Sequence, residues 1–103
     1  MPKRFTLAEA QRLIPDVDRL LRRALASKTE YEQAERAIQE FNERVMMMGG
    51  MTVDRHRALD SKSRRDTAAG QLREAIEAVQ ETGCLIKDLD IGLVDFPTLF
   101  RGV

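Results

Sequence analysis

The feature that most constrains the fold is a run of mostly apolar residues spaced alternately three and four positions apart. The run has one polar member, Ser27, and comprises Val17, Leu20, Ala24, Ser27, Tyr31, Ala34, Ile38, Phe41, Val45 and Met48. A helix with an apolar repeat of about 3.5 residues keeps one face toward a partner helix along its whole length. The pattern therefore predicts a long helix over residues 15–48 that needs a similarly long companion.

A second long helix is predicted after two adjacent glycines. Gly49 and Gly50 interrupt the first helix, because glycine destabilises a helix interior and readily takes the left-handed conformation that ends a helix. The spacing of three and four then resumes at Ala69, Leu72, Ile76 and Val79. We expect a helix over about residues 55–82, capped by Gly83, that folds back antiparallel on the first.

The N-terminal residues predict a separate short helix. Thr6 and Glu9 have the spacing of a capping box, in which the hydroxyl and the carboxylate each accept a hydrogen bond from a backbone amide. Pro15 lacks an amide hydrogen and crowds the preceding turn, so it suits the first position of a helix better than the interior of one. The expected order is a short helix over residues 7–14, a bend, and the long helix.

A β-hairpin is predicted over residues 84–96, where β-favouring residues flank a polar turn at 88–90. Gly92 is expected to mark a bulge or a close approach of the backbone. The expected cross-strand partners are Ile86 with Leu93 and Leu85 with Val94. The 103 residues then form one mainly α domain, an antiparallel, coiled-coil-like hairpin of long helices with a short N-terminal helix and a small C-terminal β-hairpin.

Composition restricts the environment and the partners. Seventeen basic and seventeen acidic residues cancel, so the whole molecule has no general attraction to nucleic acid or to an anionic membrane. The sequence has one cysteine and no apolar run near the roughly 20 residues that span a bilayer. The start also lacks the apolar core of a signal peptide. We expect a cytoplasmic protein with no membrane partner.

The sequence has FTLAEA near its N-terminus and GCLIKDLDIGLVDFP near its C-terminus. In these two segments it resembles an uncharacterised prokaryotic family, domain of unknown function 2203 (DUF2203), and the resemblance rests on them. Its most specific positions are Gly83, Lys87, Asp88, Gly92, Leu93, Val94, Asp95, Phe96 and Pro97. The resemblance covers essentially the whole chain and implies a helical core with a small β element, but no activity. Members usually continue past DFP with an apolar strand that contains Cys-Trp and Gly-Glu, whereas this sequence continues TLFRGV.

Three aspartates of the hairpin, Asp88, Asp90 and Asp95, are candidate ligands for a hard cation. Mg²⁺ or Ca²⁺ would be that cation, because both prefer several oxygen ligands. The predicted geometry is awkward, since Asp95 lies opposite Cys84 and away from the turn, and the spacing of an EF-hand is absent. The alternative is that these carboxylates are solvated and that Lys87 pairs with one of them. No other cofactor is expected.

No residue is predicted to be catalytic. Cys84 follows the C-terminal end of a helix, where the negative end of the dipole raises the pKa of a thiol. It also has apolar neighbours, so a buried and unreactive thiol is expected. His56 lies in a polar stretch with no third group to complete a catalytic set.

A basic cluster near the start of the second helix is a candidate anion site. Its arginines could hold phosphates through paired hydrogen bonds, and they are Arg55, Arg57, Arg64 and Arg65. No aromatic residues are interleaved for stacking on bases. In an antiparallel pair, the glutamates between Glu30 and Glu43 would lie beside these arginines, and mutual neutralisation then explains both runs. Nucleic-acid binding is therefore not favoured.

Two helices of one chain would bury little apolar surface. Leu21 and Leu25 widen the apolar stripe beyond what one partner helix covers, so a dimer that completes a four-helix arrangement is predicted. Its interface is expected at Leu20, Tyr31, Ile38, Phe41, Leu72 and Ile76. The alternative is that the first short helix and the C-terminal segment cover the stripe within one chain. The predicted function is a non-enzymatic oligomeric helical module that binds a protein partner; the alternative is a metal-binding protein or metal-dependent enzyme.

Overall fold

Two helices followed by two strands make up the computed structural model, which describes residues 5–49 and 55–97. The elements are α1 (Leu7–Met47), α2 (Arg55–Glu81), β1 (Leu85–Asp88) and β2 (Leu93–Asp95). The strands pair antiparallel. The structure therefore confirms a mainly helical fold with a long first helix and a small C-terminal hairpin.

The N-terminus of α1 has the predicted capping box. The backbone N–H of Glu9 donates to Thr6 Oγ1 at 3.2 Å, and the backbone N–H of Thr6 donates to Glu9 Oε1 at 3.3 Å. The Thr6 hydroxyl also donates to the same carboxylate oxygen at 2.9 Å. These bonds satisfy backbone donors that have no partner within the first turn of a helix.

The predicted break at Pro15 is wrong. Helix α1 is continuous from Leu7 to Met47 with Pro15 in its interior, so there is no separate helix over 7–14. Proline removes one hydrogen bond and crowds the turn before it, but the apolar residues on both sides of it pack on one core. Leu13 and Val17 both belong to that core, and tertiary packing thus outweighs the local preference for a break.

Glycines with positive φ end both helices. Gly49 has φ 64° and Gly83 has φ 94°, which is the left-handed conformation common just after a helix. The N–H of Gly49 donates to the carbonyl of Met46, and that of Gly83 donates to the carbonyl of Gln80. The predicted cap at Gly83 therefore matches the structure. Gly50, the second residue of the predicted glycine turn, lies outside the described residues.

The structure divides into two compact units. The hairpin unit comprises Met1–Leu25 with Leu72–Val103, and the helical unit is Ala26–Gln71. Each unit contains part of α1 and part of α2. The prediction of a single domain is left untested by this division. Neither helix is long and apolar enough, within residues 5–49 and 55–97, to cross a membrane.

The core of the hairpin unit combines side chains from both helices and from the hairpin. Its buried members are Val17, Leu21, Val79 and Cys84, and its partly buried members are Leu13, Leu20, Ile86, Leu89, Val94 and Phe96. The ring of Phe5 is fully buried and meets that of Phe96 edge to face, with centroids 5.4 Å apart. The N–H of Phe5 also donates to the carbonyl of Pro97. Phe5, which lies just before the start of α1, therefore contacts the two residues that follow β2.

The predicted pairing of the hairpin is shifted by one residue. Ile86 lies opposite Val94, Leu85 lies opposite Asp95, and an irregularity follows Ile86, so that Asp88 lies opposite Leu93. The expected position of Asp95 opposite Cys84 is accordingly wrong. The physical reason is burial, because the observed register turns Ile86 and Val94 together toward the core. The turn itself occupies residues 89–92.

In the helical unit, α1 and α2 run antiparallel. Glu35 on α1 forms an ion pair with Arg65 on α2. Arg57, near the N-terminal end of α2, lines a small cavity together with Phe41 and Arg44, which lie near the C-terminal end of α1. The predicted fold-back of the second helix is confirmed within this unit. Packing of the coiled-coil type stays a prediction.

Replacing Pro15 by alanine is expected to stabilise the protein by about 2 kcal/mol. Proline costs about 3 kcal/mol relative to alanine inside a helix, and roughly 1 kcal/mol of this is offset because proline also restricts the unfolded chain. Pro15 is exposed, so the substitution removes no core contact. Urea unfolding followed by circular dichroism measures the change.

The matched control for Pro15→Ala is Gln11→Ala, another exposed position of α1. Its effect should stay within about 0.5 kcal/mol, as is usual at exposed positions. A Pro15→Ala variant no more stable than this control would contradict a helix that continues through position 15.

Candidate interaction surfaces

Two of the three hairpin aspartates, Asp88 and Asp95, have separate local roles. Asp88 Oδ1 accepts a hydrogen bond from the backbone N–H of Asp90 at 3.0 Å, a bond that stabilises the start of a turn. Asp95 lies on β2, with a carboxylate oxygen 3.7 Å from Lys87 Nζ. Both members of this ion pair are more than half exposed, so it contributes at most about 1 kcal/mol. The pairing of Lys87 with a hairpin aspartate matches the alternative interpretation of these residues.

A divalent cation finds no ready-made site in the described part of the chain. No three carboxylate, thiol or imidazole groups are grouped there in a way that could hold a metal ion. Asp88 and Asp95 lie on different strands, and Asp95 is paired with a lysine. The predicted Mg²⁺ or Ca²⁺ site therefore stays a prediction that this geometry does not favour.

Cys84 is a free, buried thiol in the core of the hairpin unit. Burial raises the pKa of the thiol above its ordinary value of 9.0; a backbone hydrogen bond at Leu85 lowers it, and the negative charge of Asp95 raises it. The protonated thiol is the weaker nucleophile. Cys84 thus acts as a small apolar side chain in this core. His56 is exposed in the first turn of α2.

Acidic side chains of α1 accompany the predicted anion site. Arg65, which is half-buried, pairs with Glu35 at 3.5 Å and with Asp66 at 3.3 Å. The expected neutralisation of arginines by glutamates of the facing helix is thus present at Glu35. Arg55 and Arg64 are exposed on α2. Their predicted role in holding an anion remains a prediction.

A shallow cavity near the C-terminal end of α1 is lined by both acidic and basic side chains. Arg57, the remaining member of the predicted anion site, lines it together with Glu40 and Arg44, and its apolar wall comes from Ala37 and Phe41. The cavity has a volume of about 60 Å³, far below the roughly 300 Å³ at which pockets for organic ligands begin. It is a surface depression between two charged helices.

The helical unit buries only small side chains among its described residues. They are Ser27, Ala34 and Ala68. Four large apolar residues of this unit, Tyr31, Ile38, Phe41 and Val45, are partly buried, and four others are exposed, namely Met46, Met47, Met48 and Leu59. Alanine and serine remove little apolar area from water, and the large side chains are still partly exposed, so part of the hydrophobic gain in this unit is unrealised within one chain.

All six residues of the predicted oligomer interface are partly buried. Tyr31, Ile38 and Phe41 belong to the helical unit, whereas Leu20, Leu72 and Ile76 belong to the hairpin unit. Leu20 also packs against the core of its own chain, which gives it a role in the monomer. Leu20 is therefore a weaker candidate than the other five residues.

The hairpin unit contains a groove that the sequence did not predict. It measures about 390 Å³ and lies between the face of α1 around Leu21 and Leu25 and the hairpin turn that contains Ile91. Asp18, Arg22, Leu89, Asp90 and Gly92 complete its lining. Asp18 and Arg22 form an ion pair at 3.0 Å. The signal available in the sequence was the pair of leucines beside the apolar repeat, but their partner in the turn depends on the tertiary fold.

These features define a mainly helical protein with a small antiparallel hairpin, whose thiol and hairpin carboxylates have structural roles. The sequence matches the model of a family described as uncharacterized conserved protein (DUF2203) over residues 3–103. The chain therefore belongs to this family, and the resemblance seen in its two ends is confirmed. No curated protein and no solved structure matches it.

Cys84 is expected to resist alkylation in the folded protein and to make stability depend on alkaline pH. The folded state holds the thiol protonated to higher pH than the unfolded state does. The stabilising contribution is complete below the ordinary pKa and is lost as the pH rises through the raised folded pKa. Iodoacetamide labelling at about pH 8 should be slow in buffer and fast in urea.

The control for this prediction is Cys84→Ala, which removes the thiol and keeps a small apolar side chain. Compared with this variant, the native protein should lose unfolding free energy more steeply above the ordinary thiol pKa. Equal labelling rates with and without urea would contradict a buried, protonated thiol.

Proposed function

We propose that the protein is a non-enzymatic, oligomeric helical module that works by binding another protein surface through the partly buried apolar side chains of the helical unit. The observation that supports this proposal is the contrast between the small buried residues Ser27, Ala34 and Ala68 and the partly exposed Tyr31, Ile38 and Phe41. Large apolar side chains arranged along one stripe of a helix are the usual contact of helix with helix.

Covering these side chains would be a substantial gain. Full burial of one large apolar side chain contributes about 1.5 to 3 kcal/mol relative to full exposure. Tyr31, Ile38 and Phe41 have part of that gain still available, and a two-fold symmetric contact uses the same stripe twice. A homodimer is therefore the simplest assembly that completes the packing of the helical unit.

The proposal also includes the cellular compartment of the protein and the class of molecule that it binds. A buried, reduced Cys84 fits a reducing compartment, and we place the protein in the cytoplasm. Equal numbers of acidic and basic residues favour a protein partner over nucleic acid. A further protein partner would bind the assembled dimer.

Light scattering on the purified chain is expected to give a mass near twice 11.7 kDa. Replacing Ile38 and Phe41 by aspartate should lower this mass to that of one chain or unfold the protein, because each carboxylate would have to be desolvated at the contact. Circular dichroism distinguishes dissociation from unfolding.

The matched control is Gln39→Asp/Asn42→Asp, which adds the same two negative charges at exposed positions of the same stretch of α1. It should leave the mass unchanged. A monomeric native protein, or a double variant that remains dimeric, would refute an oligomer built on this stripe.

The metal-binding alternative has a separate test. Calorimetric titration with MgCl₂ and CaCl₂, using Asp88→Asn/Asp90→Asn/Asp95→Asn as the control, should give no stoichiometric heat if these carboxylates serve the hairpin turn and the ion pair. Micromolar binding that the triple variant loses would replace the interaction module by a metal-binding protein.

A further inference from the structure

The two helices of the helical unit differ in charge. Its segment of α1, residues 26–47, contains five glutamates and three basic residues, whereas residues 55–71 of α2 contain five lysines and arginines and two aspartates. The net charges of the two segments are opposite in sign, so the unit has one acidic and one basic helical segment. Charges placed beside an apolar contact are the usual means by which helical assemblies choose their partners.

The acidic and basic runs lie at the same level along the unit. Glu35 reaches Arg65 at 3.5 Å, and further along, Glu40 lines one cavity with Arg57. The acidic stretch of α1 is therefore beside the basic stretch of α2 at these two levels, and most of the charged side chains remain exposed. They can form a second set of contacts outside the chain.

We propose that the partner covering the helical unit is a second copy of this chain, chosen by charge, with the acidic α1 segment of each copy against the basic α2 segment of the other. This inference rests on the oligomeric module proposed above and specifies its partner. The two copies lie side by side with Gly49 of each at the same end, an arrangement that puts the acidic run of one chain at the level of the basic run of the other. Acidic and basic helices then alternate around the assembly.

Charge complementarity decides between a second copy and an unrelated helix. A two-fold axis brings α1 of one chain to α2 of its partner twice, so every acidic run meets a basic one. An unrelated helix would need its own charges in the matching order. Exposed pairs contribute little individually, but like charges at the same positions oppose the wrong pairing.

Charge reversal on opposite helices tests the proposal. The α1 variant is Glu40→Lys/Glu43→Lys, and the α2 variant is Lys62→Glu/Arg64→Glu; all four positions are exposed, and none belongs to the pair of Glu35 with Arg65. Each variant alone should dimerise roughly tenfold more weakly than the native chain, since like charges now face each other. The equimolar mixture should form the mixed dimer, because both contacts again join opposite charges.

Sedimentation velocity with a fluorescent label on one variant measures the mixed dimer directly. The matched control is Glu74→Lys/Glu77→Lys, which changes the net charge by the same amount at exposed positions of the hairpin unit. It should retain native dimerisation and should not pair preferentially with the α2 variant. If a reversed variant fails to fold, its Glu→Gln or Lys/Arg→Gln counterpart should weaken the dimer in the same direction.

Two results would overturn the inference. Reversed variants that dimerise as tightly as the native chain, with no preference for each other, would show that the dimer is not chosen by these charges, and the oligomeric module would stand. A native chain that is monomeric would remove the module and this inference together. The native mass therefore separates the two failures.

Discussion

The size of the side chains between α1 and α2 limits how much a single chain of this protein can bury. In the helical unit, the interior consists of Ala34, Ala68 and Ser27, while the larger residues of the same repeat stay partly in water. Small side chains let two helices approach closely, but they contribute little hydrophobic free energy. A long two-stranded helical segment has few other sources of stability, because isolated helices are marginal in water.

The hairpin unit buries large apolar side chains within one chain. Here the large side chains of both helices meet the inner face of the hairpin, and Val79 and Cys84 are almost completely buried. Phe5 adds contacts between the N-terminal segment and the residues after β2, because its ring packs on Phe96 and its N–H donates to the carbonyl of Pro97. The β-hairpin, which alone would be marginal, gains its stability from the helices that it covers. The same two helices therefore bury large side chains completely in the hairpin unit and only small ones in the helical unit.

Local chemistry made the helix ends predictable, whereas longer-range packing decided what the sequence could not show. Thr6 with Glu9, and the glycine after α2, act within a few residues, and the structure agrees at both places. Pro15 also predicts a local break of the helix, but the apolar residues on both sides of it pack on one core, and the helix is continuous. The register of the hairpin depended on which face meets that core, and the groove beside Ile91 depended on two segments distant in sequence.

The side chains that first suggested chemistry are engaged in holding the fold. Asp88 stabilises the turn, Asp95 pairs with Lys87, and Cys84 fills the core as a protonated thiol. Among the described residues these groups serve different local purposes. The function proposed above lies on a surface, where apolar side chains supply affinity and charges supply selectivity. In the proposed dimer these two contributions come from different residues of the same helices, so changing the charges would alter partner choice and leave the apolar contact in place.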